Sequence, residues 1–212
     1  VDMINSGAGT AFNMNTNEVV ANVALKILGK KLGQYEFLHP NDHVNMSQSS
    51  NDTYPTAMNV SILFALNSLL PKIDKLTMSL AKKAKQFSKY KKIGRTHLMD
   101  ALPVTLGSEF DAYVTSITKA SNAITSSMIQ LEQVALGGTA VGTGANTPKG
   151  YRKKVILELS KISKLGLVEQ KNMQHSLQSK FAVANTSSAI RNLAIELGKI
   201  SNDIRLMASG PV

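Results

Sequence analysis

The sequence contains no cysteine and no tryptophan, and aromatic residues make up only 5% of its 212 residues. Without cysteine, the chain has no disulfide scaffold, no cysteine-ligated zinc or iron–sulfur site and no thiol nucleophile. This absence is compatible with a reducing cytoplasm. Charged residues are also few, at 18%, while hydrophobic residues reach 43%. That balance is typical of a globular protein and excludes a disordered one.

The chain also lacks the segments that would direct it to a membrane. No run of about 18 uncharged apolar residues occurs, so no transmembrane helix is predicted. The first five residues, Val1 to Asn5, have neither the basic start nor the apolar centre of a signal peptide. They also lack an initiator methionine, and we therefore expect the sequence to be a fragment of a longer protein.

Acidic residues are scarce relative to basic ones, which gives a formal net charge of +10. A basic chain raises nucleic acid as a partner. Arginine, however, occurs only at positions 95, 152, 191 and 205, and nucleic-acid surfaces usually combine arginine and aromatic residues with lysine. The densest lysine run, between Lys82 and Lys92, is typical of a solvated helix end. We therefore predict no nucleic-acid partner.

Apolar residues recur at helical spacing through most of the chain. One stripe runs from Leu106 to Leu131, and a heptad-like seam runs from Thr186 to Met207. The polar, turn-rich segments 35–51 and 94–103 are predicted as loops, and Pro71 is expected to kink or split its helix. Alternating strand patterns are nearly absent. The sequence predicts an all-α fold of long antiparallel helices, and the helices are expected at 16–30, 55–90, 106–131, 148–165 and 186–207.

Four polar segments between these helices carry the unusual chemistry. They begin near Ser6, His39, Gly94 and Leu136, and three of them are rich in glycine or in small hydroxyl and amide side chains. Glycine lets a ligand approach the backbone, and a helix that starts directly afterwards favours an anion. No phosphate-binding loop, metal-binding helix pair or Ser-His-Asp order is apparent. The composition predicts a site for a small anion without metal or nucleotide.

These segments resemble the fumarase/aspartase superfamily, specifically its class II fumarase and aspartase branch. The matching stretches cover the chain in order. They are GAGTAFNMNTNEV at 7–19, HPNDHVNMSQSSND at 39–52, GRTHLMDALPVTLG at 94–107, LGGTAVGTGANTPKGY at 136–151 and NDIRLMASGP at 202–211.

The resemblance implies a helical subunit of a homotetramer, in which a multi-subunit helical bundle carries active sites shared between subunits. The implied chemistry is a reversible anti elimination on a four-carbon dicarboxylate, with no metal or organic cofactor. A base removes a proton from C3, and hydrogen bonds stabilise the aci-carboxylate that results. The implied location is cytoplasmic. The resemblance also divides the chain into the end of an N-terminal domain at 1–50 and an incomplete central bundle domain at 51–212.

The resemblance assigns roles to individual residues. His97 is expected to act in catalysis, by its position or by charge relay to a water. Substrate binding is expected of seven residues: Thr10, Ser49, Ser50, Asn51, Thr96, Thr143 and Asn146. His39, Asn41 and Asp42 resemble a secondary anion site, although Glu36 occupies a position where the family has arginine. The family's serine base lies in a loop that follows the segment ending at Pro211, and the sequence is expected to stop before it.

The motifs leave the substrate open between two reactions. Ser49-Ser50-Asn51, His39-Pro40 and Gly137-Gly138-Thr139 favour hydration of fumarate to L-malate. Gly7 to Thr10, Asn146 to Lys149 and the segment from Asn172 favour deamination of L-aspartate. We expect the first reaction and keep the second as the alternative. A non-catalytic bundle that retains the fold is an alternative of another class.

Overall fold

The computed structural model describes residues 4, 5 and 7–210. Of the predicted segments, Val1 to Met3, Ser6 and Pro211 lie outside these residues. The all-α prediction is confirmed. The helices are α1 (Thr10–Ile27), α2 (Ser50–Phe87), α3 (Leu106–Leu131), α4 (Tyr151–Ser163), α5 (Met173–Gln178) and α6 (Phe181–Met207), and one turn of π-helix spans Pro40–Val44.

The expected start of α1 is wrong, and of the two effects expected of Pro71 the splitting of its helix does not occur. Helix α1 begins at Thr10 and not at Thr16, because Gly9 is its N-cap with φ of 99°, a conformation open to glycine. The Thr16 hydroxyl donates to Phe12 O inside the helix instead of capping it. Pro71 does not split α2, which continues to Phe87. Pro71 has no N–H to donate within the helix, and the loss of this one hydrogen bond is tolerated because Leu66 and Ile73 on either side of it are both buried.

The segment predicted as a loop at 94–103 belongs to a β-hairpin. Strand β1 (Lys91–Thr96) pairs antiparallel with β2 (Met99–Thr105), and Thr96 faces Met99 at the tip. The two tip residues, His97 and Leu98, have φ of 49° and 60°. Two-residue hairpin turns normally use glycine or asparagine for such values, so the pair His97-Leu98 does not predict a turn. A second pair, β3 (Gln133–Val134) and β4 (Val168–Glu169), is parallel and short.

The chain forms two compact units, and each has its own core. Unit 1 comprises Val1–Leu63 and Leu131–Phe181, and unit 2 comprises Phe64–Gln130 and Ala182–Val212. The core of unit 1 includes Leu25, Leu63, Leu131 and Val134, all fully buried. The core of unit 2 includes Ile117 and Ile124 from the predicted α3 stripe and Leu193 and Ile200 from the α6 seam. The division predicted at residue 50 stays a prediction.

Helix α2 is the one helix among residues 4, 5 and 7–210 that is long and apolar enough, by length and composition alone, to cross a membrane. Core helices of soluble proteins meet the same criterion. Leu63 is buried in unit 1, and Leu66 and Ile73 are buried in unit 2. We therefore interpret α2 as a core helix of a soluble fold.

Candidate functional site

Unit 1 contains a cavity of about 880 Å³, which we call the unit 1 cavity. Two helices begin at its wall: α1 directly after Gly9, and α2 at Ser50. Its lining residues come from four stretches of unit 1 and include Ala8, Gly9, Ser50, Asn51, Tyr54, Ala140, Val141, Gln174, Gln178 and Lys180. The cavity therefore lies where the starts of α1 and α2 meet the glycine-rich loop and α5.

At the start of α1, the wall of the unit 1 cavity contains Gly9, a position that only glycine can occupy without strain. A Cβ atom at Gly9 would lie 2.6 Å from Tyr54 Cδ1, and φ of 99° is unfavourable for any other residue. No side chain caps this helix end. The first N–H groups of a helix have no partner within the helix and give its N-terminus about half a positive charge. Thr10, predicted to bind substrate, is the exposed first residue of α1.

The start of α2 has a reciprocal cap made by two side chains. Ser49 Oγ accepts a hydrogen bond from Asn51 N at 3.1 Å, and Asp52 Oδ1 accepts one from Ser49 N at 3.0 Å. This is a capping box with aspartate in place of glutamate. The Ser49 hydroxyl thus stabilises the helix start, while Ser50 and Asn51 line the cavity. Asn51 Nδ2 also donates to Ala140 O at 3.0 Å, which connects α2 to the glycine-rich loop at 136–147.

Asp52 is a buried carboxylate that sequence reasoning did not single out. Its side chain is fully buried, and Oδ2 accepts hydrogen bonds from Gly137 N at 3.1 Å and Thr139 N at 2.7 Å. Burial raises the pKa of Asp52, and the backbone donors oppose that rise. Burial also raises the pKa of Tyr151, with a further contribution from the charge of Asp52. The hydrogen bonds of the Asp52 carboxylate therefore connect the turn at 137–139 to the start of α2.

A cluster of amides holds Ser50 from the side of α1. Asn13 Nδ2 donates to Ser50 Oγ and to Asn45 Oδ1, each at 3.1 Å, and Asn13 Oδ1 accepts from Thr53 Oγ1 at 3.1 Å. Asn17, which is buried, also donates to Asn45 Oδ1 at 3.0 Å. Asn13 was part of a matched sequence segment but had no predicted role. Its contacts show that it orients the Ser50 hydroxyl.

Replacing Asn13 by aspartate in the complete protein is expected to weaken binding of a dicarboxylate about tenfold. Asn13→Asp removes the two donated hydrogen bonds and places a negative charge beside Ser50 Oγ. The measurement is KM for the substrate together with Kd for a dicarboxylate inhibitor. Asn15→Asp, at a half-buried position on the same helix, adds the same charge as a control. Equal effects of the two variants would contradict a specific role for Asn13.

The predicted secondary anion residues form a local cap in unit 1. His39 Nδ1 accepts hydrogen bonds from Asn41 N at 3.2 Å and Asp42 N at 3.1 Å, so it caps the turn of π-helix. The backbone N–H of His39 donates to His43 Nδ1 at 2.8 Å. Because the Nδ1 lone pair of His39 faces two amide donors, the neutral ring carries its proton on Nε2. That N–H remains a donor suited to an anion, and the anion-binding role stays a prediction.

The other predicted site residues lie elsewhere. Thr143 lines a separate cavity of about 350 Å³ in unit 1, together with Lys149 and Arg152. Asn146, exposed in the same loop, has φ of 63°. Thr96 and His97 belong to unit 2, where both are exposed at the hairpin tip. The structure thus brings Ser50 and Asn51 together in one cavity, and the roles of all these residues stay predictions.

Within residues 4, 5 and 7–210, no group of three or more histidine, cysteine, aspartate or glutamate side chains is placed to hold a metal ion.

Known proteins are similar to this chain over nearly all of its length. A family model described as Lyase matches residues 1–212. The class II fumarate hydratase of Haemophilus influenzae is 49% identical over 207 residues, which are 97% of this chain and 45% of that protein. The aspartate ammonia-lyase of Corynebacterium glutamicum is 44% identical over 211 residues, which are 100% of this chain and 40% of that protein.

A solved structure described as fumarate lyase:delta crystallin from Brucella melitensis, bound to cobalt, superposes on the chain with a TM-score of 0.95. It is 42% identical, and the match covers 100% of this chain and 46% of that one. The chain therefore spans about half the length of the curated relatives it matches.

Proposed function

Because the chain belongs to the lyase family, within the fumarase/aspartase superfamily, we propose that the complete protein catalyses reversible hydration of fumarate to L-malate. The observation that carries the proposal is the unit 1 cavity, where the starts of α1 and α2 meet beside the Ser50 hydroxyl and the Asn51 amide. Two helix N-termini and neutral donors favour a carboxylate. Relatives named class II fumarate hydratase at 47–49% identity support this choice over aspartate deamination.

The chemistry divides into binding and proton transfer. In the direction of fumarate, a base takes a proton from C3 of malate and the electron pair passes into the neighbouring carboxylate. The C2–O bond then breaks, and hydroxide leaves with a proton as water. Donors that bind the aci-carboxylate more tightly than the carboxylate lower this barrier. Ser50 supplies such a donor with its hydroxyl, and Asn51 supplies one with the amide hydrogen that is not bound to Ala140 O.

The reaction also needs a group that accepts the proton. Among the described residues that line the unit 1 cavity, none is a carboxylate or an imidazole. We propose His97 as a participant in proton transfer. Thr10, Thr96, Thr143 and Asn146 are the further substrate-binding residues that the family motifs indicate, while Ser49 acts through the cap that holds its neighbours.

We further propose that the complete protein is a cytoplasmic homotetramer with active sites shared between subunits. Several large apolar side chains of α1 and α6 are exposed. Val23 and Ile27 on α1 are 54% and 80% exposed, and Ile195 on α6 is 60% exposed. Exposed apolar faces of long helices are typical of subunit contacts in helical bundles. Measuring the mass of the complete protein in solution tests the assembly.

The reaction is tested on the complete purified protein by following the ultraviolet absorbance of fumarate. Fumarate should appear when L-malate is supplied and disappear when fumarate is supplied in water. L-aspartate should give no fumarate. Activity on aspartate with none on malate would overturn the proposal in favour of the aspartate ammonia-lyase activity named for the relative from Corynebacterium glutamicum.

A further inference from the structure

Lys180 stands out as a cation that no predicted role explains. It lies between α5 and α6 and lines the unit 1 cavity. Among the described residues that line this cavity, Lys180 is the only one with a charged side chain. None of the ion pairs within the described part of the chain includes it. Its ammonium group therefore has no carboxylate partner among residues 4, 5 and 7–210.

The contacts of Lys180 position its ammonium group but leave its charge uncompensated. Nζ donates to Leu177 O at 3.0 Å and lies 3.4 Å from Ser176 O and 3.5 Å from Ser179 O. These carbonyls belong to the end of α5 and the residue after it, so they hold the side chain in a fixed place. Burial lowers the pKa of Lys180, as expected for a cation that has lost water without gaining an anion.

A four-carbon dicarboxylate carries a negative charge at each end, and its binding site must present positive potential to both carboxylates. The starts of α1 and α2 supply about half a charge each to the unit 1 cavity. We propose that Lys180 Nζ binds a carboxylate of the substrate in the unit 1 cavity and thereby makes the site selective for dianions over monoanions. The identity of the dianion rests on the proposed function, whereas the preference for two negative charges rests on the cavity itself.

The test compares three variants of the complete protein in its native assembly: Lys180→Met, Lys180→Arg and Lys154→Met. The last removes an exposed lysine of α4 in the same unit and is the matched control. Calorimetric titration with succinate, a four-carbon dianion, and with butyrate, its monoanionic analogue, gives Kd for each. Lys180→Met should weaken succinate binding about tenfold or more and butyrate binding much less, because one charge-assisted hydrogen bond is lost. Lys180→Arg should retain most of the preference.

The outcomes separate this role from helix capping. If Lys180 only caps α5, the melting temperature of Lys180→Met falls while its preference for succinate over butyrate stays within twofold of the native value, which overturns the proposal. Failure of the native protein to bind succinate overturns it as well. If the protein binds succinate but converts neither malate nor aspartate, the proposed reaction fails while the succinate comparison still decides the role of Lys180.

Discussion

Asp52→Asn is expected to lower the free energy of unfolding of the complete protein by about 3 kcal/mol and to remove most of its activity. The two side chains have almost the same shape, so the change acts through hydrogen bonding. In the native chain both carboxylate oxygens accept bonds from backbone N–H groups, at Ser49, Gly137 and Thr139. The amide of asparagine has only one acceptor oxygen. Its NH₂ group would face at least one backbone N–H in a place closed to water.

The loss of activity follows from what Asp52 holds together. Its Oδ1 orders the turn that presents Ser50 and Asn51, and its Oδ2 holds the turn at 137–139. Thr139 has φ of 59°, a strained value for a β-branched residue, and the bond from its N–H to Asp52 is the shortest of the three. Without that bond the strained turn is free to relax and to release Ala140, the partner of Asn51.

Denaturant unfolding and steady-state kinetics measure the two effects. Asp74→Asn is the matched control, since Asp74 is an exposed carboxylate on the same helix. We expect the control to change the free energy of unfolding by less than about 0.5 kcal/mol. If Asp52→Asn and Asp74→Asn lower the free energy of unfolding by the same amount, the buried carboxylate of Asp52 does not stabilise the turn. A stable but inactive Asp52→Asn protein would show that its main effect is on the geometry of Ser50 and Asn51.

The sequence predicts the helices of this fold well because each helix carries its own pattern. Ile117 and Ile124 repeat at helical spacing and are both fully buried in unit 2. Strand β2 of the hairpin lacks such a pattern. All seven residues of β2 except Thr105 are exposed, so no alternation of buried and exposed positions marks the strand. Its turn uses His97 and Leu98 at positive φ, residues that turn rules do not anticipate.

The candidate site is only partly predictable, because some of its residues lie in no continuous sequence pattern. Ser50 and Asn51 belong to a continuous motif, and the structure places both at the unit 1 cavity. Asp52 follows them directly, yet its partners lie 85 and 87 residues away along the chain. Sequence spacing cannot reveal a pairing over that distance. Lys180 follows α5, a six-residue helix too short to produce a periodic pattern, and so its place at the cavity emerged only from the fold.

His97→Asn in the complete protein is expected to lower kcat about 100-fold or more while the fold stays intact. His97 has φ of 49° at the hairpin tip, in the left-handed region. Asparagine adopts that region more readily than any other residue except glycine, so the turn should persist. The amide cannot exchange a proton near neutral pH as imidazole does. Steady-state kinetics with malate and circular dichroism separate the chemical loss from a structural one.

The neighbouring tip residue supplies the control. Leu98 has φ of 60°, so Leu98→Asn places the same amide at the same kind of backbone position without removing the imidazole. If the shape of the turn governs the reaction, both variants should lose turnover to a similar extent. If the imidazole is required, kcat should fall far more in His97→Asn than in Leu98→Asn. An unchanged kcat in His97→Asn would remove His97 from the mechanism. The proton transfer would then depend entirely on groups outside the described hairpin, and its exposed, strained tip would need another explanation.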